Sequence, residues 1–254
     1  MDLSVPSATL AALLLGVARA TGFVVLAPPF NNPSIPKAVK GTLALALSLV
    51  VFPHLAADMP AVTAGFLIVT AVTEAVIGAA LGFVVQVLFT AVQLAGDIID
   101  VTGGFSLQPA YDPMSLTVSS SIGRLHYLLA TTLLFTSGGH LLLVRGFVTS
   151  YEGLPLGATI DTAQLGQAVI TALSMMFLAA LQIAGPMVAV LLLADVALAL
   201  LSKAAPALNI FSMGFPVKIM LTLTLLGLTF PLLPSALDAL MSAAVHAMTA
   251  FRSG

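Results

Sequence analysis

From Leu165 to Leu201 the chain carries one charged side chain, Asp195. As a straight helix that run would be about 55 Å long at about 1.5 Å per residue. A hydrocarbon core is only about 30 Å thick. The run is therefore too apolar for a water-facing surface and too long for a simple crossing. The rest of the chain has the same character. Apolar stretches lie at Ala8–Pro28, Val39–Ala57, Ala64–Ala95, Leu125–Phe147, Leu165–Leu201 and Phe215–Met248. Each is longer than a strand and none alternates with period two, so all are read as helix, which satisfies its own backbone in lipid. The segments "APPFNNPSIP", "ADMP", "GGFSLQPAYDP" and "YEGLPLG" between them carry turn chemistry.

Charge supports this reading. Only 7% of residues are charged and 59% are hydrophobic, against roughly 25% charged in soluble domains. The expectation is an all-α integral membrane protein with about six hydrophobic, partly kinked helices in a single domain over residues 1–254. With both termini outside, the inner connections hold Lys37, Lys40, Arg124, Lys203 and Lys218, and the outer ones only Arg145 and Arg252. Asp2 stands where a cleavable signal would carry basic residues, so none is expected. A net charge of −2 gives no reason to expect a nucleic-acid partner. The chain has no cysteine, which removes disulfides and thiol chemistry. Kinks are expected at "AGP" (Ala184–Pro186), and at Pro231 and Pro234.

Segment 28–55 overlays segment 206–233 at one constant offset without a gap. Pro28 meets Pro206, Asn31 meets Asn209, Ser34 meets Ser212, Lys40 meets Lys218, Phe52 meets Phe230, and Pro53 meets Pro231. Both copies enter a helix running the same way, which suggests a parallel internal repeat. Turns ahead of membrane helices also collect Pro, Asn and Lys without any repeat.

The stretch "LLLADVALALLSKAAPALNIFSMGFPVKIMLTL" resembles the C-terminal region of the FliR family of flagellar export-gate proteins, related to the SctT proteins of virulence secretion. "RATGFVVLAPPFNNPSIPKAVKGTLALALS" and "GAALGFVVQVLFTAVQLAGDIIDVTGGFSLQPAYDP" fit the same family. Ala207 departs from it, since relatives carry glutamine there. The resemblance implies a non-enzymatic subunit of the flagellar type III export gate, with bent helical hairpins winding into a helical assembly. It implies FliP-like, FliQ-like and FlhB-like partner subunits, unfolded flagellar proteins as cargo, and contact with membrane lipid. It places the protein at the bacterial inner membrane, in the flagellar basal body, and implies no cofactor.

Candidate residues follow from both lines. The segment Asp97–Gly123 is too long and polar for a tight connection. The resemblance makes it part of the plug that closes the channel, with Phe105, Leu107, Pro109, Tyr111 and Met114 forming the seal and Gly103 and Gly104 turning the backbone. A solvated loop is the plainer reading. Asp97 and Asp100 would share a helix face if the helix continued, and are read as a hydrated helix end. Arg19 and Glu74 lie about 15 Å deep at about 1.5 Å per residue, where a lone charge is costly. They are expected to pair and join two spans; the alternative is that either one meets another gate subunit or a hydrated lumen. Asp195, Lys203, Pro206, Asn209, Phe211, Gly214, Pro216 and Lys218 surround a stiff turn, "KAAPALNIFSMGFPVKI", and are read as assembly or structural residues. Pro216 and Pro206 stiffen it, and Asn209 can bond the local backbone. "GAALG" (Gly78–Gly82) permits close helix approach, but such spacing is common in Gly/Ala-rich spans. His54, His126, His140 and His246 are scattered and form no metal-ligand pattern. The alternatives are a virulence-system homologue, a stand-alone secondary transporter, and, last, an intramembrane enzyme.

Overall fold

The computed structural model describes residues 7–55, 63–105, 120–158, 162–205 and 210–250. Among them the chain forms α1 (Ser7–Leu26), α2 (Lys37–Leu55), α3 (Ala64–Gly103), α4 (Ser121–Thr136), α5 (Gly139–Gly153), α6 (Thr162–Ala204), α7 (Ile210–Thr229), a 3-10 turn (Phe230–Leu232) and α8 (Leu233–Ala250). The chain divides into two compact units. One comprises 1–88, 138–173 and 241–254, and the other 89–137 and 174–240. The two echoing segments 28–55 and 206–233 fall one in each unit.

In the first unit α1 packs along α2. Ser48, fully buried on α2, donates to the Leu13 carbonyl of α1 at 3.0 Å. On another face of α1 sits α3, at van der Waals distance between backbones. A Cβ on Gly22 would overlap the Ala75 carbonyl, and one on Gly78 would overlap the Arg19 carbonyl. One on Gly82 would lie 2.8 Å from the Phe23 carbonyl. The Gly78–Gly82 spacing, a weak signal in the sequence, is thus the crossing point of two helices. Phe23, Phe147 and Tyr151 continue the core as a ring series, with centroids 5.0 Å and 5.7 Å apart. Met248 on α8 fills the space left by Gly146 on α5. Asn31 closes the turn after α1, donating to the Leu26 carbonyl at 3.1 Å and to Gln86 Oε1 on α3 at 2.5 Å.

The second unit is built around Phe89, Ile99, Leu134 and Leu191, all fully buried. Phe89 meets Tyr127 edge-on at 5.7 Å. Its α4 starts with an N-cap, Ser120, whose Oγ accepts from Gly123 N–H at 2.8 Å.

Several boundaries differ from the sequence expectation. The expected span Leu125–Phe147 is two helices, because "TSGG" ends α4 and Gly138 takes φ +78 before α5. Left-handed backbone is natural for glycine and stops a helix. Pro186, where a kink is expected, lies within one uninterrupted helix, α6. One missing donor is tolerated where the surrounding turns hold their own bonds. At the other expected break the helix does give way, in the 3-10 turn at Phe230–Leu232. Pro234 then falls at the second position of α8, where a missing N–H costs nothing. Four helical stretches are long and apolar enough to cross a membrane, at 8–26, 64–103, 163–204 and 213–250, and α4 with α5 makes a fifth if counted as one broken span. These stretches, together with the apolar helix α2, are compatible with the sequence reading of about six hydrophobic helices.

The long helices are covered unequally. The most apolar part of α3 is 61% buried within the chain, and that of α6 only 22%. Phe177, Leu181, Leu192 and Leu193 on α6, and Met220 and Leu228 on α7, stand exposed.

The close crossing of α1 and α3 yields a test. Gly78→Ala should force the helices apart and lower stability by about 1–3 kcal/mol. Gly65→Ala, whose added Cβ meets nothing within 4 Å, should leave stability unchanged or slightly higher. Thermal unfolding of the detergent-purified chain reads both, and equal losses at the two positions would refute the crossing.

Candidate functional site

Arg19 on α1 and Glu74 on α3 have no exposed side-chain surface. Arg19 Nε donates to Glu74 Oε2 at 2.5 Å. One further polar atom of each side chain turns to the segment after α5, while Arg19 Nη1 is buried without a hydrogen-bond partner among the described residues. Arg19 Nη2 donates to the Leu154 carbonyl at 2.8 Å, and Glu74 Oε1 accepts from Gly157 N–H at 3.2 Å. The guanidinium lies 3.8 Å from the centroid of the Tyr151 ring, a stacking that arginine favours and lysine does not match. The expected pair is present, and it also secures a third segment to which no sequence pattern pointed. Gly157, at φ +78, presents its N–H to the carboxylate.

A second polar group gathers where α3 meets α4. α3 runs eight residues beyond the expected Ala95, to Gly103, so Asp97 and Asp100 sit on a continuing helix. They are not a hydrated end. Asp100 is 2% exposed, and its Oδ1 accepts from Ile122 N–H at 3.1 Å. Asp97 is half-buried against Gly123, where a side chain would overlap its carboxylate. His126, fully buried one turn into α4, has Nδ1 3.0 Å from the Ile122 carbonyl. The correction has a plain cause: the first N–H groups of a helix have no partner within it, and a carboxylate there is favoured by the helix dipole. Sequence reasoning could not place α4 beside α3.

Of the expected plug residues, Gly103 is buried at the last position of α3, and a Cβ there would come within 2.6 Å of Thr222 Oγ1 on α7. Gly104 takes φ +86 and Phe105 is half-buried. Leu107, Pro109, Tyr111 and Met114 lie outside the described residues.

The stiff turn is shorter than expected. α7 begins at Ile210, so Gly214 and Pro216 belong to helix. Pro206 and Asn209 lie outside the described residues, as does the side chain of Phe211. Lys218 on α7 bridges both oxygens of Asp195 on α6, at 2.8 Å to Oδ1 and 3.0 Å to Oδ2. Lys203 is exposed in the last turn of α6, the end of a helix that favours a cation. Among the described residues no group of three or more His, Asp or Glu could hold a metal ion.

Removing one partner of the deep pair should cost far more than removing both. Arg19→Leu strands a buried carboxylate and should lower stability by about 3–5 kcal/mol. Arg19→Leu with Glu74→Leu should recover part of that loss. The charge-swapped double variant should also recover part, limited because the bonds to Leu154 and Gly157 are not rebuilt. Membrane levels and thermal unfolding of the tagged chain would measure this, and doubles no better than the singles would remove the pairing argument.

Comparison with known proteins follows the same residues. The family model described as bacterial export proteins, family 1, matches residues 10–244. The flagellar biosynthetic protein FliR of Escherichia coli (strain K12) is 34% identical over 224 residues, covering 88% of this chain and 86% of that protein. The flagellar biosynthetic protein FliR of Bacillus subtilis (strain 168) is 28% identical over 218 residues, covering 85% and 84%. That of Aquifex aeolicus (strain VF5) is 26% identical over 234 residues, covering 92% and 90%. A match from the first helix to the last, with relatives of one name over most of both lengths, decides the family: this membrane-embedded, all-helical chain belongs to the bacterial export proteins of family 1, the family of the flagellar biosynthetic proteins FliR.

Proposed function

We propose that the chain is a non-enzymatic subunit of the flagellar type III export gate, and that it helps to form and close a conduit for unfolded flagellar proteins across the bacterial inner membrane. Its family and the name its relatives carry support this reading. The observation that carries it is the outward-facing apolar surface of α6 and α7, little covered by their own chain, with α6 overlong for a bilayer. At 43 residues, α6 would be about 64 Å long at about 1.5 Å per residue. Such a rod outreaches the roughly 30 Å of hydrocarbon, so part of it calls for a protein neighbour. FliP-like and FliQ-like subunits, with an FlhB-like subunit, are the proposed neighbours.

In this reading the chain acts as one export-gate domain whose work is packing, channel lining and closure. Gly103, Gly104 and Phe105 begin the plug, which continues through Leu107, Pro109, Tyr111 and Met114. The Arg19–Glu74 pair and the Asp195–Lys218 bridge hold helices in register, and Lys203, Pro206, Asn209, Phe211, Gly214 and Pro216 shape the α6–α7 turn for assembly. An apolar constriction excludes water and ions while closed, which suits the apolar residues assigned to the plug.

Affinity purification of the tagged chain from flagellated cells is the test. FliP-like and FliQ-like proteins should copurify in one large, stable particle, and cells lacking the chain should secrete no flagellar proteins. A chain that purifies as a stable monomer and moves small solutes alone in proteoliposomes would refute the proposal and favour a transporter.

A further inference from the structure

We infer that Asp97 and Asp100, with Thr222, are positioning residues that clasp together the end of α3 and the start of α4, and so fix where the connection between those helices departs and returns. The inference rests on the export-gate reading, in which that connection belongs to the plug.

Two N–H groups at the start of α4 are satisfied from different places. Ser120 takes that of Gly123 at 2.8 Å, a local cap. Asp100 takes that of Ile122 at 3.1 Å, from the last turn of the preceding helix. The second bond links residues far apart in the chain and is almost wholly withdrawn from solvent. Asp97, one turn earlier, rests against the bare Cα of Gly123. Its Oδ1 is buried with no hydrogen-bond partner. What Asp97 offers the start of α4 is a close fit against Gly123 and a negative charge where the helix dipole favours one. On α7, Thr222 is fully buried and bonded to its own helix through the Lys218 carbonyl at 2.8 Å. It occupies the space that a side chain at Gly103 would need. Gly104 then turns at φ +86 with the Phe215 ring 3.4 Å from its Cβ position. Both ends of the connection thereby pack within helices α3, α4 and α7 of one unit.

The clasp uses Asp100 as a hydrogen-bond acceptor and Gly123 as a space, and each can be tested separately in the assembled particle. Asp100→Ala should raise amide exchange at Ile122 and Gly123 about tenfold, and export should fall although the particle persists. Asp100→Asn keeps an acceptor oxygen and should stay within about twofold of the native chain in both readings. Gly123→Ala should lower export by driving a methyl into the Asp97 carboxylate, and Asp97→Ala added to it should restore export, with the Ser120 hydroxyl rotating clear. The clasp is overturned if Asp100→Asn behaves like Asp100→Ala, or if Asp97→Ala leaves the Gly123→Ala defect untouched. Should Asp100→Ala yield no particle, the Gly123→Ala pair decides alone. Failure of the gate reading is distinct: it shows in the native chain, as absence of partner subunits.

Discussion

Two opposite charges with no exposed surface, Arg19 and Glu74, can be balanced only by each other and by the backbone around Leu154 and Gly157. Desolvating an isolated charge costs several kcal/mol even after relaxation. Any arrangement of the first unit that separates α1 from α3, or withdraws the segment after α5, leaves one of these charges unmatched. The pair also needs the helices close. Gly22 and Gly78 supply that approach by leaving no Cβ between the two backbones. Charge and small residues are thus two halves of one constraint: the glycines bring α1 and α3 to a distance at which the guanidinium and carboxylate meet directly.

This division of labour recurs wherever helices join. In lipid, apolar surfaces gain little by meeting each other rather than acyl chains, so helix association depends on close packing and interhelical hydrogen bonds. The polar side chains of this chain serve that need. Ser48 reaches from α2 to α1, Asn31 from the α1–α2 turn to α3, Asp100 from α3 to α4, and Lys218 from α7 to α6. Each joins segments that the apolar pattern alone would leave free to slide. Many threonines instead bond the carbonyl one turn earlier in their own helix, as Thr131 and Thr224 do, which hides the hydroxyl without tying helices together.

How far the sequence foretold this follows from what each signal measures. Apolar length is a direct measure of helix in a membrane protein, so α1, α3, α6 and the α7–α8 run were legible. Depth made the Arg19–Glu74 pairing legible too, because two lone charges at similar depth have few other solutions. Proline proved ambiguous. Pro231 accompanies an interruption of the helix, whereas Pro186 lies within an uninterrupted one, since one lost donor leaves the rest of the ladder intact. The break at Ser137–Gly138 was written as "TSGG" inside an apolar run, where hydropathy averaging conceals it. The helices α3 and α7 extend past their expected ends, in α3 because polar residues, which in a sequence signal solvent, are here sheltered by neighbouring helices. Asp97 and Asp100 are carboxylates that neighbouring helix ends shelter, and which helix does so depends on tertiary placement that periodicity does not encode.

That last difference bears on function more than the boundary shift suggests. A carboxylate at a hydrated helix end constrains nothing, whereas one buried against the amides of another helix fixes two segments at once. The sequence on its own made the Asp97–Gly123 stretch a question about a loop. The structure makes its ends a matter of helix packing, with α3, α4 and α7 meeting at Gly103, Ile122 and Thr222. Under the proposed function the stretch is a closure element, which has to yield to passing cargo and return to one position. Rigidity at its attachment points is what makes return to one position cheap, because the conformational entropy to be lost on closing is confined to the residues between them. The helix α7 carries an exposed apolar face and also packs through Thr222 against the end of α3, so under the proposed function one rod would serve both assembly and closure.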